Sequence, residues 1–324
     1  MRGCIRITVH HERMTAVTSS PPQPAQTIAT LRDGEEVQGV FACTRKDRQL
    51  TRAGAPYLAL ELRDSSGAMP ARAFRDADVL AGRFQRGELV RVHGRVARYR
   101  DELQIELSAI EGAAGADADP ARFLPVAYRD LDELEGFLEH LAREVYDPAL
   151  AQLLRALLGD GALRAEIRRA PCSIPSASAP GRNPSGHHAY LGGLLEHTVA
   201  VATMAVELCA LHQRLDRDLL LSAAIVHDLG KTREYAYGAD IQRSREGRLL
   251  GHVQLGLQVI AAYAPAGLDG ERRLALEHCV MLHHGADGAS GQRFASAEAL
   301  ALYRLNALDA SIKGAFEHGL AGAY

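Results

Sequence analysis

The sequence carries no basic excess: 37 Lys and Arg stand against 40 Asp and Glu, a formal net charge of −3. A protein that coats nucleic acid through bulk charge is thereby excluded, so any contact with nucleic acid has to come from local patches. The five cysteines, Cys4, Cys43, Cys172, Cys209 and Cys279, are scattered and never form a CxxC pair. Neither a disulfide framework nor a zinc knuckle is expected, and a reducing cytoplasm fits best. No apolar run approaches the roughly 18 to 20 residues that span a bilayer, and the N-terminus lacks a compact secretory segment. A soluble protein without a membrane partner is expected. No repeat of fixed period is present, which excludes a solenoid.

What is present is enough apolar material for two cores. With 324 residues and 47% hydrophobic content, two domains of about 100 to 200 residues are expected. Residues 1–26 are rich in Ser, Thr, Pro and Gln and read as a disordered tail in which Met14 is a second candidate start.

Residues 27–112 alternate with the two-residue period of β-strands. Strands are expected at 37–45, 56–64, 68–74, 88–99 and 102–110, with a turn at Ser65-Ser66-Gly67 and a helical turn within DADVLAGRFQRG. Leu58, Leu60 and Leu62 alternate with Tyr57, Ala59 and Glu61, which gives one buried and one open face. Five strands with a connection after the third match an OB-fold barrel, whose open face receives single-stranded nucleic acid. Arg45, Lys46, Arg72, Arg91 and Arg98, with Tyr57, Phe74 and Tyr99 for stacking, are candidate contacts. Acidic residues are about as numerous here, so a merely solvated charged face is the competing reading.

A linker at 113–126 separates this barrel from residues 127–324, where the period becomes helical. Helices are expected at about 129–144, 147–158, 191–213, 216–229, 251–263, 270–283 and 296–315. Asp216 and Ser296 are expected N-caps, and Gly230 and Gly285 C-terminal stops. The Ser, Pro and Gly segment 171–186 is too long for an idle connection and reads as an entry loop, with Arg182 a candidate phosphate contact.

That loop ends on His187 and His188, the start of a spaced set of imidazoles and carboxylates. His197 lies on one helix, His227-Asp228 end another, and Lys231 follows one glycine later. His252, His283, His284 and Asp309 lie on three further helices. Neutral imidazole nitrogens and carboxylate oxygens are ligands for Zn, Mn, Fe or Co, and helical bundles converge such side chains on their interiors. Any one histidine alone is more often a core or surface side chain, as His93, His140, His212, His278 and His318 are expected to be. The ordered set carries the signal: His, His-Asp-x-Gly-Lys, His, His-His-Gly, Asp.

This order resembles the HD superfamily of metal-dependent phosphohydrolases. With GAPYLALELRDSSG, HHAYLGGLLEHT, HDLGK, GRLLGH and LHHG it is similar to the YhaM-type 3′-to-5′ exoribonucleases, over about residues 30–324. The resemblance implies an OB-fold barrel followed by an all-α HD bundle that hydrolyses single-stranded RNA, or single-stranded DNA, to nucleoside 5′-monophosphates. It implies two divalent ions, manganese first among Mn, Co, Fe, Zn and Mg. One is assigned to His197, His227, Asp228 and Asp309, the other to His252, His283 and His284, with Asp228 as bridge.

Two such ions can bind the scissile phosphate and lower the pKa of water from 15.7 toward about 7. Lys231 would aim a cation at phosphate oxygens, or else answer a helix dipole. His187 and His188 would touch the terminal phosphate or ribose, protonate the leaving oxygen, or only orient other groups. Competing readings are a phosphohydrolase of mononucleotides or cyclic nucleotides, and a non-catalytic nucleic-acid-binding or regulatory protein. A homo-oligomer is compatible with each.

Overall fold

The computed structural model describes residues 26–64, 66–115, 119–175, 186–268, 270–286 and 291–318. The expected tail, Ser65, Arg182 and most of the entry loop lie outside them.

The N-terminal strands are β1 (Glu36–Leu50), β2 (Pro56–Asp64), β3 (Gly67–Ala73), β4 (Leu89–Tyr99) and β5 (Glu102–Gly112). They close into a barrel in the order β1-β2-β3-β5-β4, with β3 and β5 parallel. Alternation does the sorting: Leu58, Leu60 and Leu62 face inward with Phe41, Val92, Ile105 and Ile110. Closure needs strong coiling, and register shifts at Cys43/Arg45 and His93/Gly94 supply it. At the second of these a Cβ on Gly94 would lie 2.5 Å from the Glu106 carbonyl oxygen, so only glycine fits. The expected helical turn is α1 (Ala77–Ala81), which adds Ala77 and Leu80 to the barrel core.

The second domain contains α2 (Leu131–Arg143), α3 (Pro148–Gly159), α4 (Gly161–Arg169), α5 (Gly193–Leu211), α6 (Arg217–Val226), α7 (Lys231–Glu234), α8 (Arg245–Tyr263), α9 (Gly270–Leu282) and α10 (Ala297–His318). Asp130, Asp147, Asp160 and Asp216 cap four of these helices by accepting backbone N–H bonds. Ser296 caps α10 through Ala299. By length and composition alone α5 is apolar enough to cross a membrane, contrary to the expectation that no run comes close. Here it is a core helix packed against α6, α2, α10 and α4, with Leu194, Leu195, Val201 and Ala202 fully covered.

Three features depart from expectation. The short helix α4 was not anticipated, because its sequence buries only Ile167. A hairpin, β6 (Tyr235–Tyr237) and β7 (Ile241–Arg243), fills the stretch after α7. Helix α8 begins six residues before Gly251, which bends it at φ 72° and ψ 162°.

The hairpin also meets the barrel. Ala239 N–H donates to the Gly87 carbonyl at 3.1 Å, and Ala239 packs in one apolar cluster with Ala42, Leu89 and Phe123.

Candidate metal centre and nucleic-acid face

The helical bundle delivers its histidines with their rings aimed one way. His227 Nδ1 donates to the Ala224 carbonyl at 2.9 Å, and His283 Nδ1 to the Val280 carbonyl at 2.6 Å. His197 Nδ1 faces Asp309 Oδ2 at 2.6 Å, and His252 Nδ1 lies 3.0 Å from Glu234 Oε2. At His197, His227 and His283 an oxygen acceptor at Nδ1 sets the tautomer and leaves a lone pair on Nε2, while Glu234 Oε2 faces His252 Nδ1 by proximity without a hydrogen bond. Those four Nε2 atoms converge: His197 to His227 is 3.2 Å, and His252 to His283 is 3.4 Å. His284 Nε2 comes within 2.8 Å of His252 Nε2. Lone pairs so close repel unless a cation or proton lies between them.

Asp228 sits at the centre and is buried. Its Oδ2 faces His197 Nε2 at 3.4 Å and His227 Nε2 at 3.3 Å, while Oδ1 faces His283 Nε2 at 3.4 Å and His252 Nε2 at 3.6 Å. Lys231 Nζ holds Oδ2 at 2.6 Å. Oδ1 has no hydrogen-bond partner among the described residues. Leaving a buried charged oxygen unpaired costs about 1–3 kcal/mol or more, so this position calls for a cation. Four sets of ligand atoms among the described residues lie close enough to share an ion, and two of them meet at Asp228: His197, His227 and Asp228, and Asp228, His252, His283 and His284; the others are His188, His197 and Asp309, and Cys172, His187 and His197. The donor types, all imidazole and carboxylate, fit a divalent transition metal.

Electrostatics favour the same protonation states. Burial holds the His227 ring down to about 4, and burial with His197 nearby holds His187 down to about 3. Burial alone would raise the Asp228 carboxyl, but Lys231 and His227 keep it well below the carboxylate range. Lys231 is likewise opposed by burial and is raised by Asp228. At neutral pH His227 and His187 are therefore neutral imidazoles beside an ionised Asp228 carboxylate.

Asp309 and His188 meet on the far side of His197. Asp309, expected as a direct ligand, has its Oδ2 at His197 Nδ1 and His188 Nε2 (3.0 Å), and these three residues also form a group whose ligand atoms could share an ion. His188 is buried and does not line the cavity; its Nδ1 meets the Tyr190 hydroxyl at 2.8 Å, and that hydroxyl donates to Glu196 at 2.7 Å. Burial opposes its protonation, but Asp309 and Glu196 raise its pKa. His188 holds this network in a left-handed backbone conformation at φ 51° and is a positioning residue. His187, by contrast, lines the cavity, with Lys231 and His252.

Sequence reasoning missed Glu234, Tyr190, Glu196 and Cys172. The buried Cys172 thiol lies 3.2 Å from Lys231 Nζ and 3.6 Å from His187 Nε2, and burial pushes it up to about 12. The only available signal was adjacency, Glu196 beside His197 and Glu234 three residues after Lys231.

Close backbone approach makes the convergence possible. A Cβ on Gly230 would lie 1.9 Å from the His252 carbonyl oxygen and 2.5 Å from the Gly256 nitrogen. Gly230 has ordinary helical φ of −64°, so it is not the expected C-terminal stop but the point where α8 touches the His-Asp segment. Gly285, at φ 109°, does end α9.

On the barrel, Tyr57, Arg72 and Phe74 line one groove of about 460 Å³ together with Tyr99, Arg100 and Gln104. The Tyr57 and Phe74 rings stack at 5.4 Å. Arg72 Nε donates to Gln104 at 2.8 Å, which fixes the guanidinium across the groove. Phe74 and Tyr99 are about half exposed. The β4–β5 turn holds Arg100 and Asp101 at positive φ and sets Arg100 over the Tyr99 ring. Arg45, Lys46, Arg91 and Arg98 do not line this groove. Arg45 pairs with Asp47, and Arg98 reaches Asp33 and the Asp101 carbonyl. Arg91 lies on β4, in register with Val40 and Glu111. Lys46 is a correction: its ammonium donates to the Ala81 and Phe84 carbonyls and closes the end of α1.

Comparison with known proteins agrees with both halves. The HD domain family matches residues 194–311, and an OB-fold nucleic acid binding domain family matches 36–111. The 3′-5′ exoribonuclease YhaM of Shouchella clausii (strain KSM-K16) is 30% identical over 295 residues, 89% of this chain and 88% of that protein. The proteins of the same name from Bacillus pumilus (strain SAFR-032) and Bacillus subtilis (strain 168) are 28% and 27% identical. They cover 93% and 86% of this chain, and 94% and 86% of their own lengths.

Proposed function

The chain belongs to the YhaM family of 3′-to-5′ exoribonucleases, and from that membership we propose how its own residues divide the work of trimming RNA. The protein is a metal-dependent hydrolase that binds single-stranded nucleic acid and removes nucleotides from the 3′ end. The barrel groove of Tyr57, Arg72, Phe74 and Tyr99 holds the strand by stacking and phosphate charge, with little reading of sequence. Its four described cysteines are free and buried, which fits a reducing cytoplasm.

Two divalent ions fit the bundle. We assign one to His197, His227 and Asp228, and the other to His252, His283 and His284, with Asp228 shared and manganese the first choice. When bound, such ions supply positive charge at the scissile phosphate and make water acidic enough to attack near neutral pH. Asp309 and Glu234 hold His197 and His252 with their Nε2 lone pairs inward. Lys231 keeps Asp228 ionised and presents charge to the phosphate at the cavity wall. His187, neutral and open to the cavity, contacts the terminal ribose or phosphate. His188, fixed by Asp309, Tyr190 and Glu196, positions the segment that carries His187.

The buried, unpartnered Oδ1 of Asp228 among converging Nε2 atoms carries this reading. The test is metal analysis with end-labelled RNA. Wild-type protein should bind about two manganese ions per chain and give a 3′-to-5′ ladder on 5′-labelled single-stranded RNA, and Asp228→Ala should abolish both. A folded Asp228→Ala variant that keeps its metal and its ladder would overturn the assignment.

A further inference from the structure

The cavity at the metal centre has one wall that the ligand set does not explain. Leu249 and Leu250 are adjacent, 72% and 47% exposed, and both line it. Single exposed leucines are unremarkable, but a contiguous apolar pair at the mouth of a polar cavity is informative. We propose that these two leucines form a shelf for the unpaired base of the 3′-terminal nucleotide, beside the centre that takes its phosphate. This rests on the exonuclease reading and names the part of the substrate this wall accepts.

The shelf is held in place from two sides. Gly247 packs against the backbone of Glu234, where a Cβ would come within 2.2 Å of the carbonyl oxygen. Glu234 in turn contacts His252. At Gly251, φ 72° bends the chain, so that the turn carrying the leucines and the helix carrying His252 take different directions. Leu249 is three residues from His252, so their Cα atoms are at most about 11 Å apart, the reach of one nucleotide. The cavity, of about 700 Å³, has the size of a small-ligand site.

Charge selects the occupant. Arg243 and Arg248, both exposed, stand on the cavity rim next to the leucines. Arg248 donates to the Arg243 carbonyl, and the Arg243 guanidinium is 3.7 Å from Glu234. An apolar shelf between a cationic rim and the histidine centre suits an apolar ring joined to a phosphate. An apolar peptide, which carries no phosphate, would leave the rim cations unused.

The test uses the full chain loaded with manganese and two probes, adenosine 5′-monophosphate and ribose 5-phosphate, which differ only in the base. Covering about 55 Å² of leucine surface at about 25 cal/mol/Å² corresponds to about tenfold in affinity. Wild-type protein should therefore bind the nucleotide about tenfold more tightly by calorimetry. Leu249→Ser/Leu250→Ser should remove that ratio while leaving ribose 5-phosphate binding unchanged. On RNA, the double variant should raise KM about tenfold with kcat held, and should no longer distinguish an ordinary 3′ end from an abasic one. Leu250→Met should restore most of the ratio. An unchanged ratio in the double variant overturns the shelf. A protein that gives no ladder fails as an exonuclease instead, and the calorimetric ratio, which needs no turnover, separates the two outcomes.

Discussion

Gly230→Ala perturbs the metal centre without touching a ligand. The added Cβ would sit 1.9 Å from the His252 carbonyl oxygen and 2.5 Å from the Gly256 nitrogen, both backbone atoms of α8. To reach ordinary contact the helix must retreat by about 1.5 Å, and His252 moves with it, away from Asp228, His283 and His284. Overpacking of this kind costs about 1–3 kcal/mol, or a fall of about 2–10 °C in Tm for a domain of this size. A displacement of about 1 Å in a catalytic group lowers rate by about 100-fold. Differential scanning calorimetry, metal analysis and end-labelled RNA should together report a lower Tm, loss of one of the two ions first, and a fall in kcat. Gly136→Ala is the internal comparison: that glycine is inside α2 with open space around its Cβ position, so alanine there should stabilise by about 0.5–1 kcal/mol. A Gly230→Ala variant with wild-type Tm, metal content and kcat would refute the close-approach reasoning.

Glu234→Ala should weaken binding of one ion by about 10- to 100-fold, read by metal titration, because His252 loses the carboxylate 3.0 Å from its Nδ1; Glu234→Gln should recover part of this, and full affinity in the alanine variant would count against that role. Phe74→Ala with Tyr99→Ala should weaken binding of single-stranded RNA by about 1–3 kcal/mol per stacked base while hydrolysis of a dinucleotide stays constant; equal losses on both would remove the groove from RNA binding. In chelator, His227 should by itself contribute a fall in stability of about 3 kcal/mol between pH 6.5 and about 4, read as the difference between the wild-type and His227→Ala profiles. There the unfolded chain protonates His227 while the folded chain, with this ring held down to about 4, does not. A difference that stays flat from pH 7 to 4.5 would show that His227 is not buried neutral.

Much of the architecture was legible because it depends on local pattern. Alternation at Leu58, Leu60 and Leu62 needs only the two-residue period, and the Asp216 and Ser296 caps need only a side-chain oxygen three residues before the N–H that donates to it. The metal set was legible for another reason, since imidazoles and carboxylates spaced over five helices have few other uses together. What was not legible depends on three-dimensional neighbours. Lys46 sits in an outward register that suits a phosphate, yet its long side chain finds the open carbonyls at the end of α1. Glu234 and Glu196 are ordinary helical acids until α8 and the His188 turn fold against them. Gly251 reads as a helix boundary, and only the structure reveals a bend with helix on both sides. Asp309 was legible as a member of the set, but its contacts with His197 and His188 were not.

The contact between the β6–β7 hairpin and the barrel gives the two domains a shared strut. The hairpin starts at the residue after Glu234 and ends just before α8, so the loop that meets Gly87 and Leu89 also sets the spacing between two parts of the metal centre. Cutting away residues 1–112 would uncover Ala239 and Phe123 and release that loop at its tip. A truncated enzyme could then lose activity on the shortest substrates too, through slack in the bundle, with no RNA contact involved. Point changes in the groove leave the strut intact and separate grip from geometry.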